Sequence, residues 1–234
     1  MLSRRKIAMI VGEFLGTGIL TMVVLSVAKS NIGLPYFIAL GAGLAVAALT
    51  LTLGAITGAH FNPAMTIAFW TARKAKTSKM IVYVAAQLLG GIAAYALYRY
   101  FMGAGWANNG HYEPKVLVGE SIGTFVLAFG WAAAVYQRFE NTKAAAAIGG
   151  ALALGIIVTT AAAANLAPTD TPGFGLLNPA VALGARYWGW GTFVLGPVLG
   201  AVVGVNLYNF LFATDRQLLP LKAKAAATAD KKKK

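Results

Sequence analysis

The tripeptide Asn-Pro-Ala occurs twice in the chain, at residues 62–64 and again at 178–180. In each copy Asn stands where it can cap a helix and Pro stands at the first helical position, which is a strong signal for a helix start. Roughly ten mostly apolar residues follow, and at about 1.5 Å per residue they cover about 15 Å, half of a hydrocarbon core about 30 Å thick. The copies therefore predict two helices, 63–72 and 179–188, each too short to cross a membrane alone.

The rest of the chain is as apolar as a membrane protein. Over the whole chain, hydrophobic residues make up 58%, charged residues only 12%, and the mean hydropathy is +0.67, which excludes an ordinary soluble domain. Stretches long enough to span a bilayer lie at 7–28, 36–56, 80–101, 115–136, 144–166 and 190–213. We predict an all-α membrane protein with six transmembrane helices and two re-entrant half-helices. Cysteine is absent, so disulfides and thiolate sites are excluded.

The chain also contains an internal repeat. The first span contains Gly-Glu-Phe-Leu-Gly-Thr at 12–17, and the fourth contains Gly-Glu-Ser-Ile-Gly-Thr at 119–124. This divides the chain into a first repeat at 1–114, a second at 115–213 and a basic tail at 214–234. Because each repeat has an odd number of full spans, the two lie in opposite orientations. Both half-helices then begin at the middle of the membrane.

The net charge of +13 follows from this topology. Of the 20 Lys and Arg residues, all but Lys29, Arg99, Lys115 and Arg186 fall on the side that holds both termini. This asymmetry predicts cytoplasmic termini and a cell membrane, plasma or inner, as the location. The terminal lysines are interpreted as a solvated tail attracted to lipid, and not as a nucleic-acid site.

The midplane is the candidate functional region. Backbone that leaves helical geometry at that depth is tolerated where it lines a cavity, so we expect a water-filled path between the two repeats. Helix N-termini carry partial positive charge and repel cations, and the amides of Asn62 and Asn178 can donate hydrogen bonds to water. No cluster with metal-ligand spacing or catalytic triad is present in the sequence, so we expect no metal, no cofactor and no enzyme.

These motifs together resemble the major intrinsic protein family, the aquaporins and aquaglyceroporins. The resemblance rests on six segments that span nearly the whole chain: the one around Glu13, residues 58–64 and 86–91, the one around Glu120, and residues 178–180 and 196–200. It implies six spans, two half-helices, one pore per subunit and a homotetramer. The pore motifs would be Asn62, Pro63 and Ala64 with Asn178, Pro179 and Ala180.

Three buried polar positions have more than one interpretation. The resemblance implies that Glu13 and Glu120 accept backbone N–H groups from the loops before the half-helices, whereas intramembrane carboxylates can also carry protons. His60, just before the first motif, is predicted to line the pore wall. A cytoplasmic gate or pH sensor is the alternative.

The chain departs from the family at the outer selectivity filter. Family members usually have Arg directly after the second Asn-Pro-Ala, but here the residue is Val181. The other filter positions are assigned to Ala42, Ala162 and Gly175, so all four are small or apolar. We therefore predict a wide, apolar outer filter, unless Phe174 or the stretch 167–173 folds over the mouth. The Asp that often follows the filter Arg in glycerol-conducting relatives is also missing, since the position is Ala182.

These features predict a passive channel for water and small uncharged solutes in a lipid bilayer. A poorly conducting membrane scaffold with the same fold is the main alternative. A further alternative is a coupled transporter that uses the buried carboxylates Glu13 and Glu120.

Overall fold

A computed structural model describes residues 3–30, 34–103, 112–163 and 172–213. The described part is helical and contains six apolar helices long enough to cross a membrane, together with two short helices. The elements are α1 (Arg4–Ala28), α2 (Pro35–Thr57), α3 (Pro63–Thr71), α4 (Thr77–Met102), α5 (Pro114–Tyr136), α6 (Asn141–Ala163), α7 (Pro179–Gly184), a π-helical turn (Gly191–Leu195) and α8 (Gly196–Phe212). The fold prediction of six spans and two half-helices is confirmed. The basic tail 214–234, and the part of the 167–173 stretch that precedes residue 172, lie outside the described residues.

The two short helices begin where the sequence predicts. Asn62 caps α3 by accepting a hydrogen bond from Ala64 N, and Asn178 caps α7 by accepting one from Ala180 N. Pro occupies the first helical position in both. The side-chain oxygen satisfies a backbone donor that the helix start leaves unpaired. The same local chemistry therefore starts both helices.

The second half-helix is shorter than predicted. We expected it to continue to residue 188, but it ends at Gly184. Arg186 adopts a left-handed conformation with φ of 64°, and Tyr187 N donates to Ala182 O at 3.0 Å. This backbone closure satisfies a terminal carbonyl and stops the helix. A left-handed Arg73 follows α3 in the same way.

Each half-helix packs against the repeat to which it does not belong. Helix α3 lies against α8 as well as α4, and α7 lies against α4 and α1. The long helices pair as α1 with α2 and α4, α5 with α6 and α8, and α2 with α6. Glycines allow the closest crossings: a Cβ on Gly43 would lie 2.7 Å from Gly149 O. Small residues commonly bring membrane helices this close. The two repeats are thereby interlocked around the half-helix starts.

Candidate pore

The two Asn-Pro-Ala motifs meet and exchange hydrogen bonds. Asn62 Nδ2 donates to Leu177 O at 2.9 Å, and Asn178 Nδ2 donates to Phe61 O at 2.8 Å. Each side-chain oxygen is already occupied by its own helix cap. An Asn amide has two N–H donors, so each crossed bond leaves one donor free to face the space between the motifs. Both side chains line a cavity at this point.

The carboxylates of α1 and α5 hold the loops that lead to these motifs. Glu13 Oε1 and Oε2 accept from His60 N at 3.0 Å and Phe61 N at 2.7 Å. Glu120 Oε1 and Oε2 accept from Leu176 N and Leu177 N, both at 2.7 Å. Both side chains have no exposed surface. The geometry is the one that the resemblance implies, with all four carboxylate oxygens engaged by backbone donors.

The loops need this support because their backbone is strained. Phe61 has a φ of 44° and Leu177 a φ of 53°, in the left-handed region that costs a non-glycine residue about 1–3 kcal/mol. In both loops the strained residue itself donates to the carboxylate. The strain turns the carbonyls of Phe61 and Leu177 toward the opposite motif, where the asparagine amides reach them. The strained backbone conformation therefore allows the crossed hydrogen bonds to form.

The first repeat has an additional polar layer that the second lacks. Gln87 on α4 donates to Glu13 Oε2 at 2.7 Å and to Thr66 Oγ1 at 2.9 Å. His60 Nδ1 lies 3.0 Å from the same Thr66 hydroxyl. In the second repeat the equivalent of Gln87 is Pro197, which has no donor. In the part of the chain that the structure describes, Glu120 is therefore held by its two backbone donors alone. Thr66 is a residue of the site that sequence reasoning missed.

The cavity that contains the two asparagines is small and mainly apolar. Its volume is about 20 Å³, enough for a single water, which needs roughly 10–15 Å³ on this kind of measure. His60 is its third polar lining residue, in the position predicted for a pore-wall histidine. The remaining walls are formed by Leu20, Val24, Ala42, Val46, Leu127, Trp131, Leu152, Ile156, Gly175, Leu176 and Val181.

The four residues assigned to the filter are not all brought together. Ala42, Gly175 and Val181 line the cavity. Ala162 does not: its side chain lies against α5, where a Cβ on Gly119 would come within 2.7 Å of it. From the same helix, Leu152 and Ile156 face the cavity instead. The sequence position was assigned by counting forward along the fifth span, which is followed by a loop of unusual length. Ala162 lies six residues, or about 1.7 helical turns, after Ile156, and therefore on another face of the helix.

The two larger side chains near the outer end do not enter the cavity lining. Arg186 lies between aromatic rings, with its guanidinium carbon 5.3 Å from the ring centre of Tyr95 and 4.8 Å from that of Trp188. Phe174 is buried in the core. In the described part of the chain the cavity therefore contains no guanidinium and no carboxylate.

Comparisons with known proteins agree with this architecture. The family model described as "Major intrinsic protein" matches residues 2–208. Nodulin-26 of Glycine max is 38% identical over 186 residues, covering 75% of this chain and 65% of the relative, so the chain spans about two thirds of that protein. Aquaporin AqpM of Methanothermobacter marburgensis is 30% identical over 90% of this chain and 98% of the relative. The aquaglyceroporin structure from Plasmodium falciparum aligns with a TM-score of 0.69 at 23% identity, covering 88% of this chain and 96% of that one.

Proposed function

The chain belongs to the major intrinsic protein family, whose members are passive channels and not enzymes, and we propose that it conducts water and small uncharged solutes across a membrane. The meeting of the two asparagine-capped helices carries this proposal. Asn62 and Asn178 each retain one amide donor beside a cavity with apolar walls. A water that passes them accepts two hydrogen bonds there and finds few polar partners elsewhere.

The same geometry supports exclusion of ions. A desolvated cation meets amide donors and helix N-termini at the midplane, and both carry positive partial charge. The carboxylates that could attract it are fully used by backbone donors behind the cavity wall. The lining offers no charged group to replace an ion's hydration shell. We infer a pathway for neutral molecules.

We propose that the outer filter is apolar and is formed by Ala42, Ile156, Gly175 and Val181. Ile156 replaces the residue assigned from sequence because it lines the cavity and Ala162 does not. With a volume of about 20 Å³, the cavity favours water and solutes of similar cross-section. The wide opening expected from sequence stays a prediction, to be decided by the permeability ratio of a three-carbon polyol to water.

Stopped-flow measurements on proteoliposomes test the channel directly. Reconstituted protein is expected to raise the permeability to water, or to a small neutral solute such as glycerol, above that of empty vesicles of the same lipid. The expected flux does not saturate and needs no ion gradient. A membrane scaffold would give no increase, and a coupled transporter would give saturable, gradient-dependent uptake that is lost in Glu13→Gln or Glu120→Gln.

Val181→Arg tests the filter assignment. Val181 is buried in the cavity wall one residue after the second motif, so a guanidinium there narrows the path and adds donors. We expect permeability to glycerol to fall more than permeability to water. Equal losses of both, at matched protein content, would argue that position 181 does not select solutes.

Assembly and orientation are further parts of the proposal. The homotetramer and the cytoplasmic placement of both termini rest on the family resemblance and on the asymmetric distribution of basic residues. Native mass spectrometry of the detergent-solubilised protein is expected to give four copies. The orientation is tested by adding protease to right-side-out vesicles. We expect the basic C-terminal end to be protected, because the proposed orientation places it on the cytoplasmic side.

A further inference from the structure

A second cavity lies on the outside of the helix bundle, between α4 and α8. Its volume is about 140 Å³, several times that of the pore cavity. The two half-helices form its floor through Pro63 and Pro179, and α4 and α8 form its sides. We name this feature the α4–α8 crevice. Its sides are formed by Val84 and Leu88 on α4, by Val194 in the π-helical turn and by Val198 on α8. Leu183, Tyr187, Trp188 and Trp190 also line it.

The crevice faces the hydrocarbon region of the membrane. The four side residues are half-buried. They are flanked by exposed Ile81 and Leu89 on α4, by Leu195 at the end of the π-helical turn and by Leu199 on α8. Both helices are membrane spans. An apolar cavity of this size at that depth is filled by hydrocarbon, because water has no polar partner there.

One end of the crevice is aromatic and cationic. Trp188 lines the crevice, and the guanidinium carbon of Arg186 lies 4.8 Å from the centre of its ring. Trp190 beside it is 64% exposed. Tryptophan side chains are typical of the depth at which lipid headgroups begin. The single ring of Trp188 therefore connects the apolar crevice to a positive charge at headgroup level.

The charge of Arg186 is only partly satisfied by the protein. The guanidinium is held between the rings of Tyr95 and Trp188, and its buried Nε has no hydrogen-bond partner among the residues that the structure describes. The left-handed backbone at Arg186 closes α7 and places the side chain at the end of the crevice. The residue as a whole is half-buried, so part of it remains accessible from outside the helix bundle. Arg paired with phosphate forms strong, charge-assisted hydrogen bonds.

We propose that the α4–α8 crevice binds one acyl chain of an anionic phospholipid, with the lipid phosphate against Arg186. The lipid belongs to the leaflet opposite to the two ends of the chain, because six spans return the chain to the side where it began and α7 ends on the other side. The acyl chain contacts Pro63 and Pro179 from behind, on the side away from the pore. The site therefore lies directly against the residues that begin both half-helices.

Native mass spectrometry of the full-length protein with added lipid tests the proposal. The probes are palmitoyl-oleoyl phosphatidylglycerol and the phosphatidylcholine with the same acyl chains. Wild type is expected to retain one phosphatidylglycerol per subunit in preference to phosphatidylcholine. Arg186→Gln is expected to reduce the affinity for phosphatidylglycerol about tenfold and to remove the preference, since a charge-assisted bond is lost. Arg99→Gln, at an exposed position on α4 at the same side of the membrane, is the matched control and keeps the preference.

A second pair of variants tests the crevice itself. Val84→Trp fills the crevice, and Val82→Trp places the same ring on the exposed face of α4. Only Val84→Trp is expected to lose both lipids, and retained helical circular dichroism shows that the variant folds. Equal lipid retention by the two Trp variants, or no preference for phosphatidylglycerol in wild type, would overturn the proposal. A change in the number of subunits with Val84→Trp and unchanged lipid binding would also overturn it, and would assign the crevice to a second copy of the chain.

Discussion

Replacement of Glu120 by Gln tests whether a buried carboxylate holds the second half-helix in place. The carboxylate accepts two backbone N–H bonds of 2.7 Å from consecutive residues. Glutamine has the same shape but only one acceptor oxygen, so its NH₂ group faces a donor. One charge-assisted bond worth about 1.5–3 kcal/mol is lost, and one buried N–H is left unsatisfied at about 1–3 kcal/mol. Because these terms overlap, we expect less than their sum, a destabilisation of about 2–4 kcal/mol.

The loss of this hydrogen bond also affects the opposite repeat. Leu177, one of the two donors, has a φ of 53°, and its carbonyl accepts from Asn62 of the other repeat. When the carboxylate no longer holds it, the loop relaxes toward ordinary backbone conformations and the crossed bond is broken as well. Among the described residues, Glu120 has no side-chain partner comparable to Gln87. The second repeat is therefore expected to be the more sensitive of the two.

Thermal unfolding of the purified protein in detergent, followed by circular dichroism, gives the measurement. At about 2–4 °C per kcal/mol for a chain of this size, Glu120→Gln is expected to lower Tm by roughly 10 °C and to reduce water flux. Glu140→Gln removes the same charge at an exposed turn and is expected to change stability by no more than about 0.5 kcal/mol. If the two variants unfold at the same temperature, the carboxylate does not support the loop.

Two further predictions concern packing and selectivity. Gly91→Ala drives a Cβ into the carbonyl of Ala180 on α7 and is expected to destabilise the protein by about 1–3 kcal/mol. A Cβ on Gly150 meets no described residue within 4 Å, so Gly150→Ala is expected to stabilise α6 by up to about 1 kcal/mol. Equal Tm changes in the two variants would contradict this. Ile156→Ala widens the pore cavity and is expected to raise the ratio of glycerol to water permeability, whereas Ala162→Gly is expected to leave this ratio unchanged. The reverse result would favour Ala162 as the filter residue.

The sequence alone was sufficient wherever the signal is local. Asn followed by Pro starts a helix through the chemistry of its own neighbours, so the starts of α3 and α7 were predicted to the residue. Hydropathy predicted the spans, because the bilayer requires about 20 apolar residues for each crossing. The repeated Gly-Glu segments drew attention to Glu13 and Glu120, although their role as loop acceptors came from the family resemblance.

Only the tertiary structure decided which side chains face one another. A helix turns by about 100° per residue, so counting along α6 did not distinguish Ala162, which packs against α5, from Ile156, which lines the cavity. The crossed bonds from each asparagine to the opposite repeat depend on left-handed backbone at Phe61 and Leu177, which no sequence pattern indicates for such residues. The α4–α8 crevice arises because two helices far apart in sequence flank the half-helices without closing over them, which is a property of packing and not of any one segment.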